Sequence, residues 1–133
     1  MLLVGMHARP LLLMTRVLIV DDDRDMCWLL QRILEQEGYR VSTRTTGKGA
    51  LGFLSRHRPD LIFLALTLAD MSGPKLIERV RALHVHLPVV ILSSPSSQKP
   101  IDACKRLDPY AIIPKPFQLD EVVRVARSAS VPS

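Results

Sequence analysis

The chain has 133 residues, of which 47% are hydrophobic and 23% charged. That balance suits one domain with its own core and excludes disorder, which goes with few apolar residues and high net charge. The formal charge is +5, but the basic residues are spread from Arg16 through Arg32, Arg44, Arg79 and Lys105 to Arg127, and aromatic residues make up only 5%. Without a basic stripe or rings to stack on bases, no direct nucleic-acid partner is expected.

Residues 1 to 20 are apolar, yet His7, Arg9, Pro10 and Arg16 interrupt them. No run reaches the roughly 18 residues that span a bilayer, and no basic n-region or small-x-small site supports a signal peptide. No membrane partner is expected. Met14-Thr15-Arg16-Val17 would be a natural start for the folded domain. The expected organisation is an extension over 1–14, one domain over 15–128, and a tail or linker start over 129–133.

Val17-Leu18-Ile19-Val20 is a continuous apolar run, as in a parallel strand covered on both faces. Asp23 can cap the next helix, whose inward face is read as Met26, Leu30, Ile33 and Leu34, and Gly38 is placed to end it. Tyr39 to Thr43 alternates as a second strand. Ala50, Leu51 and Leu54 restore helical spacing until Pro59, and Leu61-Ile62-Phe63-Leu64-Ala65 is a third, buried strand. After Ser72-Gly73-Pro74, the residues Leu76, Ile77, Val80 and Leu83 form the next inward face. Val89 to Ser93 is the fourth strand, and the polar stretch Ser94 to Lys99 leads into a short helix near 101–107. Ala111-Ile112-Ile113 is the fifth strand, and Leu119, Val122, Val123 and Ala126 face inward from the last helix. Five strands alternating with five helices predict an α/β fold, a doubly wound five-stranded parallel sheet with right-handed crossovers.

Ligands of such sheets bind outside the carboxyl ends of the strands. Asp21 and Asp22 follow the first strand, Ala65 ends the third with Thr67 beyond it, Ser93 ends the fourth, and Lys115 follows the fifth. Adjacent carboxylates suit a hard cation such as Mg²⁺. A hydroxyl and an ammonium suit a phosphoryl group.

The ordered set Arg16-Val17-Leu18-Ile19-Val20-Asp21-Asp22-Asp23, Gly38-Tyr39-Arg40-Val41, Pro59-Asp60-Leu61-Ile62, Asp70-Met71-Ser72-Gly73, Pro88-Val89-Val90-Ile91-Leu92-Ser93 and Lys115-Pro116-Phe117 resembles the receiver domain of two-component response regulators, a CheY-like, flavodoxin-like fold. The resemblance covers residues 16 to about 128. It implies a histidine kinase, or another signalling protein, as partner, a cytoplasmic setting, and phosphoryl transfer to an aspartate at the end of the third strand with the help of Mg²⁺. By position, Asp21 and Asp22 resemble the metal pair, with the Thr67 carbonyl a further ligand. Ser93 resembles the switch hydroxyl and Lys115 the phosphoryl-pairing lysine. Lys115-Pro116 resembles the family's cis-proline junction, and the aromatic switch position falls on Ile112. The resemblance also implies a contact face, including that of a homodimer, made by the fourth helix, fifth strand and fifth helix.

The departure lies at Ala65, which holds the phosphoacceptor position of the family. A methyl group cannot form an acyl phosphate, and its presence removes a metal ligand, so any Mg²⁺ binding should be weakened. Lys115 is then expected to pair with Asp21 or Asp22. The favoured function is a phosphorylation-independent receiver, or pseudo-receiver, that is not an enzyme and acts through protein contacts. The alternative is a phosphorylatable receiver carrying an Asp-to-Ala change at position 65. Ala69, where the family usually has proline, is a second nearby departure and favours the first.

Other signals have plainer readings. Gly47-Lys48-Gly49-Ala50-Leu51-Gly52 matches GxGxxG but opens the second helix instead of the first, against a nucleotide site and against a nucleotide-dependent enzyme. His84 and His86 read as solvated loop residues, Ser94, Ser96 and Ser97 as a polar turn and helix cap, and Trp28 as a packing or partner contact. Cys27 and Cys104 form no CxxC and read as free, buried thiols.

Overall fold

The structure, a computed structural model, describes residues 15–94 and 98–130. The expected extension over 1–14, the turn at Ser96 and Ser97, and residues 131–133 of the tail lie outside them. Five strands, β1 (Arg16–Val20), β2 (Arg40–Arg44), β3 (Leu61–Ala65), β4 (Val89–Ser93) and β5 (Ala111–Pro114), alternate with α1 (Arg24–Gln36), α2 (Gly47–Leu54), α3 (Gly73–Leu83), α4 (Gln98–Lys105) and α5 (Leu119–Ser130). All strand pairs are parallel, in the order β2-β1-β3-β4-β5. The doubly wound sheet expected from the sequence is the one observed.

The period of two along each strand divides the core into two layers. Leu18, Val20, Ile62, Leu64, Val89 and Ile91 pack against Ala50 and Leu54 of α2, Leu76, Ile77 and Val80 of α3, and Cys104 of α4. Val17, Ile19, Leu61, Phe63, Val90 and Leu92 pack on the other face against Cys27, Leu30 and Leu34 of α1 and Val122 and Ala126 of α5. Each such aliphatic side chain contributes roughly 1.5–3 kcal/mol on burial. The apolar runs of β3 and β4 are continuous because both strands are central and buried at every position.

Local chemistry sets the helix ends. Asp23 caps α1, its carboxylate accepting from the Asp25 and Met26 amides at 3.0 and 3.2 Å. Thr46 caps α2 and Ser72 caps α3 in the same way. Gly38 follows α1 at φ 98°, a conformation glycine adopts without strain.

Several expectations need correction. Leu83 and Leu119 are 47% and 42% exposed: each is a terminal residue of its helix, where the apolar stripe no longer has a sheet beneath it. Met26 and Ile33 are only half-buried, and Cys27 takes the inward place beside Leu30 and Leu34. The fourth helix spans Gln98–Lys105 instead of 101–107, and α5 continues to Ser130, past the expected boundary at 128. His84 is not a solvated loop residue: it ends α3, and its Nε2 lies 2.9 Å from the Leu54 carbonyl, tying α3 to the end of α2. His86 is exposed, as expected.

Candidate functional site

The strand order reverses between β1 and β3, so the chain leaves these neighbours in opposite directions and opens a crevice at their carboxyl ends. A cavity of about 180 Å³ lies there, lined by Asp21 and Asp22 after β1, Ala65 and Thr67 at the end of β3, and Lys115 after β5. With Leu92 and Ser94 at the end of β4, residues from four sequence-distant segments thus meet at the rim where the strand pattern places them.

Asp21 is the centre of the site. It is only 1% exposed, its amide donates to the Arg44 carbonyl at 3.2 Å, and its Oδ1 accepts from the Asp23 amide at 3.0 Å. Its Oδ2 is 2.9 Å from Lys115 Nζ, forming an ion pair. Asp22 is exposed. Of the two candidate partners for Lys115, the structure selects the carboxylate that is buried directly behind β1. Lys115 is itself held by its amide, which donates to the Ser93 carbonyl at 2.6 Å, and Lys115-Pro116 is cis.

Ala65 is 4% exposed at the cavity wall. Ser93 is 2% exposed, and the cavity is instead lined by Leu92 and Ser94, two residues apart on β4 and its continuation. Ile112 is half-buried against the α2–α4 layer. Cys27 sits under the site and donates its thiol to the Asp21 carbonyl at 3.2 Å. Burial, helped by the negative charge of Asp21, pushes this thiol above its usual range.

The donor set does not fit a Mg²⁺ ion as it stands. Both oxygens of Asp21 are engaged, the wall opposite is the Ala65 methyl, and among the described residues no three His, Cys, Asp or Glu side chains are grouped to hold a metal. A hard cation wants several oxygen ligands with open lone pairs.

Two features were missed in the sequence. Asp70 accepts from the amides of Gly47 and Lys48, both at 2.9 Å, so a carboxylate of this same chain fills the α2 N-terminus where GxGxxG was read. Those two bonds hold the Asp70 carboxyl below its ordinary range. The same loop is closed by a bridge between Thr67 and Ser72 and by the Gly73 amide on the Leu66 carbonyl at 2.8 Å. The signal was present: an acid just before Ser72-Gly73-Pro74, facing a glycine-rich helix start. Arg81 is the second. Its guanidinium donates to the carbonyls of Leu107, Leu87 and Asp108, a link between α3 and the loops flanking β4 and β5 that no spacing reveals.

Residues 17–127 match the family model for the response regulator receiver domain. The chain is 35% identical over 115 residues to the nitrogen assimilation regulatory protein NtrX of Azorhizobium caulinodans, covering 85% of this chain and 25% of that protein. It is 36% identical over 118 residues to the transcriptional regulatory protein KdpE of Mycobacterium tuberculosis, covering 87% of this chain and 51% of that one. It therefore spans between a quarter and a half of these relatives. The receiver domain of NtrX from Brucella abortus superposes with a TM-score of 0.82 at 31% identity, covering 88% of this chain and 99% of that structure.

Proposed function

Since this chain belongs to the response regulator receiver domain family, we propose that it is a signalling receiver whose state is not set by phosphorylation of its own pocket. One observation carries the reading. At the end of β3, where the family resemblance places the phosphoacceptor, stands the buried methyl of Ala65, and Lys115 is paired with Asp21. No nucleophile stands at that position to accept a phosphoryl group, and a divalent ion would have to displace the Lys115 ammonium from Asp21. On this reading the chain is not an enzyme, needs no Mg²⁺, and works in the cytoplasm through a histidine kinase or another signalling protein. Its contact face is made by α4, β5 and α5, where Tyr110 and Leu119 stand exposed and where a second copy could also dock.

The test is intact mass after incubation with a small acyl phosphate and Mg²⁺, for this chain and for Ala65→Asp. The expected result is no phosphoryl gain by the unaltered chain. A gain there, mapped to any residue of the pocket, overturns the proposal. A gain by Ala65→Asp alone shows that the rest of the pocket is competent and only the nucleophile is missing.

A further inference from the structure

At the opposite end of the sheet from Ala65, a cleft of about 550 Å³ wraps the start of the edge strand β2. Arg16 and Arg40, 24 positions apart in sequence, are register partners on β1 and β2. Neighbouring strands lie about 4.8 Å apart, and parallel partners present their side chains on the same face. Both line this cleft. Neither guanidinium makes an ion pair or side-chain hydrogen bond among the described residues; the nearby Asp60 carboxylate accepts from the Arg16 amide at 2.8 Å. Like charges directly opposite on a sheet repel. An anion placed between them would relieve that repulsion.

The wall of the cleft beside α2 is aromatic. Phe53 has the Arg44 guanidinium 4.9 Å above its ring and the His57 imidazole stacked at 4.5 Å. His57 is exposed and lines the cleft, and an exposed imidazole offers a surface on which a flat ring can stack. Ser42 also lines the cleft. The carboxylate of the lining, Glu35, belongs to α1 on the far side of the strand and accepts from Gln31 Nε2 at 3.2 Å.

We propose that this cleft binds a nucleoside phosphate, the phosphates between Arg16 and Arg40 and the base on His57. Guanidinium pairs recognise phosphate oxygens with directed, charge-assisted hydrogen bonds. The site is remote from the Asp21 pocket and independent of how that pocket works. It is also distinct from the start of α2, which Asp70 occupies.

The experiment is calorimetric titration of the chain with ATP in the presence of a chelator, with pyrophosphate and a single-stranded oligonucleotide as comparators. ATP is expected to saturate one site with a Kd below about 1 mM. The double substitution Arg16→Gln/Arg40→Gln should weaken it at least about tenfold, and His57→Ala should weaken ATP while leaving pyrophosphate unchanged. All three residues are exposed, and an unchanged ligand-free melting temperature checks that the fold is intact. Binding of ATP that survives the double substitution, pyrophosphate as tight as ATP, tighter capture of the oligonucleotide, or no saturation up to about 5 mM each overturns the proposal.

Discussion

Lys115 Nζ lies 2.9 Å from Asp21 Oδ2, joining residues 94 positions apart at the carboxyl edge of the sheet. The carboxylate is 1% and the ammonium-bearing side chain 25% exposed. This pair lies beside the Ala65 methyl, and Asp21, the one buried charge among the described residues, already has its counter-charge.

Removing one partner of such a pair leaves a buried charge uncompensated. Lys115→Met should therefore destabilise the chain by about 3 kcal/mol, read as a lowered urea midpoint. Asp22→Asn, at the exposed neighbour, should stay within about 0.5 kcal/mol of the unaltered chain. Equal effects at the two positions would show that the pair carries no special weight.

Asp70 gives a pH dependence of known sign. Its carboxyl is held below the ordinary value by the Lys48 and Gly47 amides, so the folded state binds its proton less readily than the unfolded state. The stability it adds is full above the unfolded value of about 3.9 and is lost as pH falls through the lower folded value. Asp70→Asn should thus melt below the unaltered chain at neutral pH, and the gap should narrow below about pH 4. A gap independent of pH would assign the loss to shape instead of charge.

Two glycines in the same loop system should differ. A Cβ at Gly73 would meet the Leu66 Cα and carbonyl oxygen, both at 2.7 Å, which are backbone atoms. At Gly47 it would meet the Met71 side chain at 2.5 Å, which can move. Gly73→Ala should cost about 2–3 kcal/mol and Gly47→Ala about 1 kcal/mol, by chemical denaturation. The reverse order would mean that the β3–α3 loop yields more readily than Met71 does.

The thiols should be inert in the folded chain. Cys104 is fully buried and its pKa is pushed up to about 11 by that burial, while Cys27 is raised as well. Only thiolate reacts. Labelling by a disulfide reagent near pH 8 should be at least about a hundredfold slower than for a free thiol, and both should label fully in denaturant. Fast native labelling of Cys104 would show that α4 opens.

Much of this was legible in the sequence because it depends on local pattern. Apolar runs of strand length, the cap at Asp23 and the glycine at position 38 are each decided within a few residues, and their alternation leaves a doubly wound sheet as the economical solution. Once the sheet is granted, the residues just past each strand must share one rim, so Asp21, Ala65 and Lys115 could be brought together without coordinates. Leu83 and Leu119 were misread for the complementary reason. Helical period says which way a residue points, but not whether the sheet extends beneath it.

The tertiary structure decided what depends on register and loop path. It chose Asp21 over Asp22 for Lys115, because burial behind β1 leaves the buried carboxylate in need of a counter-charge. It put Ser94 instead of Ser93 at the cavity, and sent Asp70 to the amides of α2. It also turned basic residues that look dispersed along the chain into neighbours, since strand pairing sets Arg16 beside Arg40. Such long-range pairings arise from how layers pack and strands align, and no window of sequence contains both partners.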